Sequence, residues 1–212
     1  MLRRFLSWTI GRAVAIVRYA VLQFMIASSP RTSVAGFDVA DLMSRGDSQA
    51  RFRKLGEALA LIESAQPSLM RRVRSSIARI VFLESGPEYW PRGRACILHD
   101  VTNLSAIQVA LIVVHEATHG RLWRAGIRYS PAVRERVEQI CVRAELALLA
   151  KLPSGATFVE YTRQKLSSQW WSDEQRKERH GEVIADVEAP AWMLRAYRSV
   201  MRRKLPDQGP VE

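Results

Sequence analysis

Residues 111–120 read Leu-Ile-Val-Val-His-Glu-Ala-Thr-His-Gly. His115 and His119 stand four positions apart, so on an α-helix their side chains project from the same face, about 5 to 6 Å apart at Cβ. Two imidazoles at this spacing can bind one tetrahedral zinc ion (Zn²⁺). Glu116 is rotated by about 100° from His115, so it does not compete as a ligand but can reach a water bound to the metal.

The pattern His-Glu-x-x-His is the motif of zinc peptidases, in which the histidines bind the metal and the glutamate is the general base. A buried helix whose two histidines only satisfy hydrogen bonds is the alternative interpretation. The flanking sequence argues against it, because residues 107–114 are almost wholly apolar and predict a helix in the middle of a domain. Residues 102–105 offer capping side chains, so we expect the helix from about Ser105 to Ala125, before Gly126.

The sequence ahead of this helix predicts two further helices and a small sheet. Residues 48–65 carry the apolar stripe of an amphipathic helix, and Pro67 begins a second helical segment. Residues 77–83 are a predicted strand because β-branched and aromatic side chains dominate them, and residues 95–101 are interpreted as the next strand. His99, in the second of these strands, is interpreted as structural. We therefore expect an α+β fold that is mainly α, with the sheet ahead of the metal-binding helix.

A catalytic zinc ion needs a third protein ligand and one position left for water. Leu122 and Ala125 stand where the extended form of the motif has a glycine and a third histidine, so a carboxylate is needed instead. Residues 131–151 predict the next helix. Glu138 and Glu145 both lie at the edge of its apolar face, and such a position lets a side chain reach into a partly apolar cleft. Both are therefore candidate third ligands.

The spacing of these residues resembles that of a known family. His115-Glu116-x-x-His119, eighteen further residues and then Glu138 are similar to the ligand pattern of the gluzincins, the zinc peptidases with a glutamate as third ligand. The resemblance covers residues 115–138. It implies that His115, His119 and Glu138 bind zinc, that Glu116 is the general base and that the domain is zincin-like.

The chain departs from the gluzincin pattern around the third ligand. Val137 and Val142 stand where gluzincins often have an asparagine and an acidic residue. Glu145 therefore remains the alternative, either as ligand or as the acid behind the ligands. Because gluzincins have a histidine or tyrosine after the ligand helix that stabilises the transition state, the resemblance makes His180 and Tyr161 candidates for that role.

Composition indicates a globular protein with a strongly basic surface. Of the 212 residues 48% are hydrophobic and 25% charged, and the formal net charge is +11. This excess favours anionic partners such as phospholipid headgroups, with a merely solvated basic surface as the alternative. Cys96 and Cys141 are too few for a disulfide framework or a cysteine zinc site, and we interpret them as buried thiols.

The amino terminus has the composition of a membrane-surface helix. Residues 1–27 contain four arginines and no acidic residue among many apolar side chains. The apolar run over residues 19–27 is too short to span a bilayer, so we expect an interfacial helix that makes an otherwise cytoplasmic protein peripherally membrane-associated. Packing on the chain's own domain is the alternative. We predict a linker over residues 28–47, a zincin-like metallopeptidase domain over 48–205 and a tail over 206–212.

Together these patterns predict a zinc-dependent metallopeptidase, in which Glu116 activates a zinc-bound water that hydrolyses a peptide bond. The expected partners are a peptide or protein substrate and an anionic membrane surface, and nucleic acid is not expected. Two alternatives remain. One is a basic helical module that binds membrane or nucleic acid without catalysis, and the other is a zinc-binding homologue that does not cleave peptides.

Overall fold

Five short strands form a mixed sheet whose central strands are buried on both faces. The computed structural model describes residues 24–84 and 86–167. The strands are β1 (Arg31–Val34), β2 (Phe37–Asp41), β3 (Arg79–Phe82), β4 (Glu88–Trp90) and β5 (Ala95–Leu98). Their order in the sheet is β1-β2-β3-β5-β4. Strands β2, β3 and β5 are parallel, whereas β1 and β4 are antiparallel edge strands.

Helices make up most of the rest of the described chain. They are α1 (Ser48–Ala65), α2 (Pro67–Ser76), α3 (Ala106–Arg124), α4 (Arg134–Leu149) and α5 (Ala156–Ser167), and a short 3₁₀ helix, Pro131–Val133, precedes α4. The side chain of Asp47 caps α1, and Pro67 occupies the first turn of α2, where its missing N–H costs no hydrogen bond. The prediction of an α+β fold, mainly α, with the sheet ahead of α3 is confirmed.

The main core lies between one face of the sheet and the helices. Alternate residues of the three central strands point to this side, namely Phe37, Val39, Ile80, Phe82, Cys96 and Leu98. Helix α3 contributes buried residues around most of its circumference, including Val109, Ala110, Val113, Val114 and Ala117. The apolar run before the histidines therefore places α3 in the middle of the domain, with α1, α2 and α4 packed around it.

Residues 31–41 show that the predicted linker over residues 28–47 is wrong in this part. They form the β1–β2 hairpin, with Val34 paired to Phe37. Ala35 and Gly36 make its two-residue turn with φ angles of 48° and 81°, and a type I′ turn requires positive φ at both positions. Strand β1 is polar and mostly exposed, so no apolar alternation marks it in the sequence. The sheet, and with it the domain, therefore begins before Ser48.

The second face of the sheet is covered near the amino-terminal segment. Residues 24–28 are helical, and Ile26 is 2% exposed in a small core with Ala40, Val81 and Ile97. Ile26 therefore packs on the chain's own domain, as in the alternative interpretation of the amino-terminal segment. Residues 1–23 and 168–212 lie outside the described residues. The predicted end of the domain at residue 205 and the predicted tail over residues 206–212 fall in the second of these ranges. No described helix is both long and apolar enough to cross a bilayer.

A buried ion pair joins β2 to α1. Arg51 and Asp41 are 0% and 2% exposed. The Nε and Nη2 atoms of Arg51 lie 2.8 and 2.7 Å from Oδ2 of Asp41, and Oδ1 of Asp41 accepts a hydrogen bond from the backbone N–H of Met43. The Asp41 carboxylate is therefore held on both oxygens and connects the end of β2 to the first turn of α1.

Asp41→Asn is expected to lower the free energy of unfolding by about 3 to 5 kcal/mol, because it removes the buried counter-charge of the Arg51 guanidinium. Only the more exposed Asp100 carboxylate, 4.0 Å from Nη1 of Arg51, then remains near it among the described residues. Urea denaturation measures this loss. Asp38→Asn, on the same strand, is the matched control, since Asp38 pairs with Arg31 and Arg79 at the surface and such pairs contribute about 1 kcal/mol or less. Equal losses in the two variants would contradict a structural role for the buried pair.

Candidate metal centre

Helix α3 brings the two histidines of the motif together. A capping box starts the helix: the Ser105 side chain accepts a hydrogen bond from the N–H of Gln108, and the Gln108 side chain accepts one from the N–H of Ser105. His115 is 6% exposed. The Nε2 atoms of His115 and His119 are 3.2 Å apart and the ring centroids 4.9 Å apart. Both imidazoles therefore present Nε2 to one common point.

Glu138 of α4 completes a group of three donors at that point. Its Oε2 lies 3.1 Å from Nε2 of His115, its Oε1 lies 3.6 Å from Nε2 of His119, and the residue is 4% exposed. Tetrahedral zinc with nitrogen and oxygen ligands holds its ligand atoms about 3.3 Å from one another, given bonds of about 2.0 to 2.1 Å. The observed separations are close to that value, so the donor set fits a zinc ion.

Glu145 lies behind His115. Its Oε1 is 2.6 Å from Nδ1 of His115, and its Oε2 is 2.7 Å from Nζ of Lys165. A carboxylate at Nδ1 keeps the proton on that nitrogen, so that the lone pair of Nε2 is available to a metal. Of the two roles left open for Glu145, its contact with Nδ1 corresponds to the acid behind His115, whereas Glu138 lies beside the Nε2 atoms of both histidines.

Cys141, which the sequence analysis treated only as a buried thiol, is a further donor near the histidines. It is 0% exposed, and its Sγ lies within 4.8 Å of a ligand nitrogen of both His115 and His119. Burial, assisted by nearby carboxylates, raises the pKa of Cys141, and a neutral thiol is a weak ligand. Burial alone would also raise the pKa of Glu138, but hydrogen bonds from His115 and His119 hold it well below its usual range. The Glu138 carboxylate can bind a metal ion as it stands, whereas Cys141 would have to lose its proton on binding.

The electrostatics of the centre favour positive charge between these side chains. Burial alone would lower the pKa of His115, but its hydrogen bonds to Glu138 and Glu145 outweigh burial and raise the pKa. The negative charge of Glu116 acts in the same direction. Buried carboxylates around an imidazole stabilise a cation, whether that cation is a proton or a metal ion.

Tyr129, in the loop between α3 and α4, supports the third ligand. Its hydroxyl donates a hydrogen bond of 2.5 Å to Oε1 of Glu138, and its ring meets the His119 ring edge-on with centroids 5.4 Å apart. Tyr129 therefore holds both the Glu138 carboxylate and the His119 imidazole. It was not predicted, because a single tyrosine in a loop carries no spacing that relates it to the motif.

Glu116 occupies a different side of α3. It is 5% exposed, and within residues 24–84 and 86–167 its carboxylate makes no hydrogen bond or ion pair. Burial raises the pKa of Cys96 in β5, and the negative charge of Glu116 adds to this effect. Burial also raises the pKa of Glu116 itself, partly offset by His115 and His119. A carboxylate with a raised pKa is a better proton acceptor.

The edge strand β4 contacts α3 through Tyr89. Gly120 directly follows His119, and a Cβ added to Gly120 would lie 2.8 Å from Cε2 of Tyr89 in β4 and 3.2 Å from Cβ of Ser76. A side chain at position 120 would therefore require the Tyr89 ring to move. Among the described residues β4 pairs with β5 alone and forms one edge of the sheet. The sequence analysis did not predict β4, which has only three residues.

Of the remaining predicted site residues, the structure describes only Tyr161, which it does not bring next to the two histidines. Tyr161 on α5 is 61% exposed, and its ring is contacted by Lys165, with Nζ 5.6 Å from the centroid. Tyr161 is linked to His115 only indirectly, because Lys165 contacts Glu145 and Glu145 in turn contacts His115. His180 lies outside the described residues. His99 follows β5, and its buried Nδ1 has no hydrogen-bond partner in the described part of the chain.

No family profile matches the chain. No curated protein and no solved structure matches it either. The resemblance to gluzincins therefore stays a prediction, and the interpretation of the centre depends on its own geometry.

Proposed function

We propose that the chain is a zinc-dependent metallopeptidase of the gluzincin type, with a zincin-like domain. The observation that carries this proposal is the convergence of Nε2 of His115, Nε2 of His119 and the Glu138 carboxylate at zinc-ligand separations. A zinc ion held by these donors would act as a Lewis acid and lower the pKa of a coordinated water to about 7. Side chains of the protein would carry out proton transfer and would hold the ligands in position.

Glu116 is proposed as the general base. Its carboxylate is buried, has a raised pKa and lies next in sequence to a ligand. It can therefore take a proton from the attacking water and give it to the leaving amine. Tyr129 and Glu145 contribute by holding Glu138 and His115 in place, which keeps the site rigid while the substrate reacts.

The edge strand β4 supports a peptide as the substrate. An extended peptide can add to a sheet edge through main-chain hydrogen bonds, and pockets beside the strand then read its side chains. Tyr89 of β4 packs on Gly120, next to His119, so this edge strand lies beside the helix that carries the two histidines. This placement favours an extended polypeptide over a small-molecule substrate.

A zinc centre without catalysis is the second candidate, because Cys141 is within reach of both histidines. His115, His119, Glu138 and a deprotonated Cys141 would supply four ligands, and a four-ligand site leaves no open position. Such a centre would stabilise the fold and hydrolyse nothing.

Removal of the metal separates the two candidates. We expect a chelator to abolish hydrolysis of a fluorescence-quenched unfolded protein substrate, and stoichiometric Zn²⁺ to restore it, because zinc supplies the Lewis acid. The same samples are heated to record the unfolding temperature. Hydrolysis that is indifferent to the chelator would contradict the proposal. A zinc-dependent unfolding temperature without any hydrolysis would support the four-ligand structural centre instead.

We further propose that the basic, apolar amino-terminal arm (residues 1–27) attaches the protein peripherally to an anionic membrane. The net charge of +11 supports this, as do the exposures of Phe24 and Met25, which are 74% and 42%. Apolar side chains beside arginines suit the interface between headgroups and acyl chains. The alternative of a basic module without catalysis shares this surface but predicts no role for the metal.

A further inference from the structure

Lys165 of α5 contacts the carboxylate that supports His115. Its Nζ lies 2.7 Å from Oε2 of Glu145, and its side chain is 25% exposed, whereas Glu145 is 1% exposed. The other carboxylate oxygen, Oε1, lies 2.6 Å from Nδ1 of His115. The Glu145 carboxylate is thus held between an ammonium group on one side and a ligand imidazole on the other.

Helix α5 gives Lys165 a fixed position. The helix packs along α4, and Thr162, one turn before Lys165, is 0% exposed. The ring of Tyr161 also contacts the Lys165 ammonium. Because the backbone of α5 is docked, the contact with Glu145 is a feature of the packed helices and not of one mobile surface side chain.

The charges around His115 require a cation in addition to a divalent metal. Glu116, Glu138 and Glu145 are all at most 5% exposed. Buried carboxylates are costly unless paired with positive charge. A divalent ion would balance two of them, and the Lys165 ammonium balances the third. Without Lys165, Glu145 would keep only His115 as a partner among the described residues, and its buried carboxylate would lose its nearest permanent positive charge.

We propose that Lys165 is a positioning residue of the zinc centre, which anchors the Glu145 carboxylate against Nδ1 of His115 and so directs Nε2 of His115 to the metal. The inference rests on the proposed zinc site. A carboxylate held at both oxygens cannot rotate away from the imidazole, so the docking of α5 on α4 and the affinity for zinc become coupled. Lys165 acts only through Glu145 and does not touch the metal or the substrate.

Zinc affinity of the full-length chain tests the proposal, measured by competition with a zinc-binding dye. Lys165→Met is expected to weaken zinc binding about ten- to hundredfold, the usual effect of losing a group that supports a ligand. Lys165→Arg keeps the charge and should restore most of the affinity. Arg163→Met is the matched control, because Arg163 is exposed on the same helix and makes no hydrogen bond or ion pair within the described residues. It should bind zinc as the parent chain does.

The double variant with Glu145→Gln shows whether Lys165 acts through Glu145. Glu145→Gln alone should weaken zinc binding to a similar degree, and adding Lys165→Met should then change it little. Additive losses, or a Lys165→Met variant with parental affinity, would overturn the proposal while leaving the zinc site intact. A parent chain that binds no zinc would overturn the proposed function as well. If Lys165→Met does not fold, Lys165→Gln replaces it with the same expected loss, and parental affinity there has the same consequence.

Discussion

Glu116→Gln is expected to lower kcat by about 10² to 10⁴-fold, the contribution of a positioned general base. The glutamine amide has nearly the same shape as the carboxylate but cannot accept the proton of the attacking water. Because Glu116 is not among the three converging donors, the variant should bind zinc as tightly as the parent chain. Steady-state hydrolysis of the quenched substrate and zinc titration of the same preparation measure the two effects.

Glu135→Gln is the matched control for this variant. Glu135 is exposed on α4, one turn from Glu138, and its carboxylate contacts only Gln139 within the described residues. It should retain both hydrolysis and zinc. Hydrolysis that survives in Glu116→Gln would show that another group is the base. A loss of zinc in Glu116→Gln would show that Glu116 belongs to the ligands.

His115→Ala is expected to lose zinc. The change removes the Nε2 ligand and leaves Glu138 and Glu145 buried without the imidazole that joins them. The loss of affinity should exceed the factor of about ten to one hundred expected when only a supporting group is removed. Metal analysis after gel filtration measures the zinc content, and dye competition measures the affinity.

His99→Ala is the control for the histidine replacement. His99 is only half-buried beyond β5, and its pKa is lowered by burial, as for an imidazole kept neutral within the fold. This variant should keep its zinc. If His115→Ala does not fold, His119→Ala, at a less buried position, gives the same test. Zinc that remains bound with either ligand histidine replaced would place the metal elsewhere.

Local sequence was sufficient to predict the central helix and the position of its two histidines on one face. The apolar run before His115, the capping residue Ser105 and the four-residue histidine spacing are all properties of one helix, and α3 ends within one residue of the prediction on each side. Glu138 was predicted by the resemblance in spacing and lies beside both histidines. Periodicity alone could not separate it from Glu145, because the two lie on the same side of α4.

The rest of the centre could not be predicted because it depends on packing between elements. Tyr129 comes from a loop, and Lys165 comes from a helix that reaches His115 only through Glu145. The sequence position of Cys141 predicts a buried core residue. It does not predict that the thiol lies close to two histidines of another helix. The β1–β2 hairpin was missed because β1 is polar and because its turn is Ala35-Gly36, not one of the asparagine- or aspartate-glycine pairs that usually mark such a turn.

X-ray absorption at the zinc edge of the purified full-length chain tests the zinc centre most directly. We expect one zinc ion per chain with two imidazole nitrogens and a carboxylate oxygen, all at about 2.0 to 2.1 Å, which correspond to His115, His119 and Glu138. A sulfur at about 2.3 Å in place of the carboxylate would show that Cys141 is the third ligand. A chain that binds no zinc, or binds it without imidazole ligands, would contradict the proposed centre and the peptidase activity that depends on it.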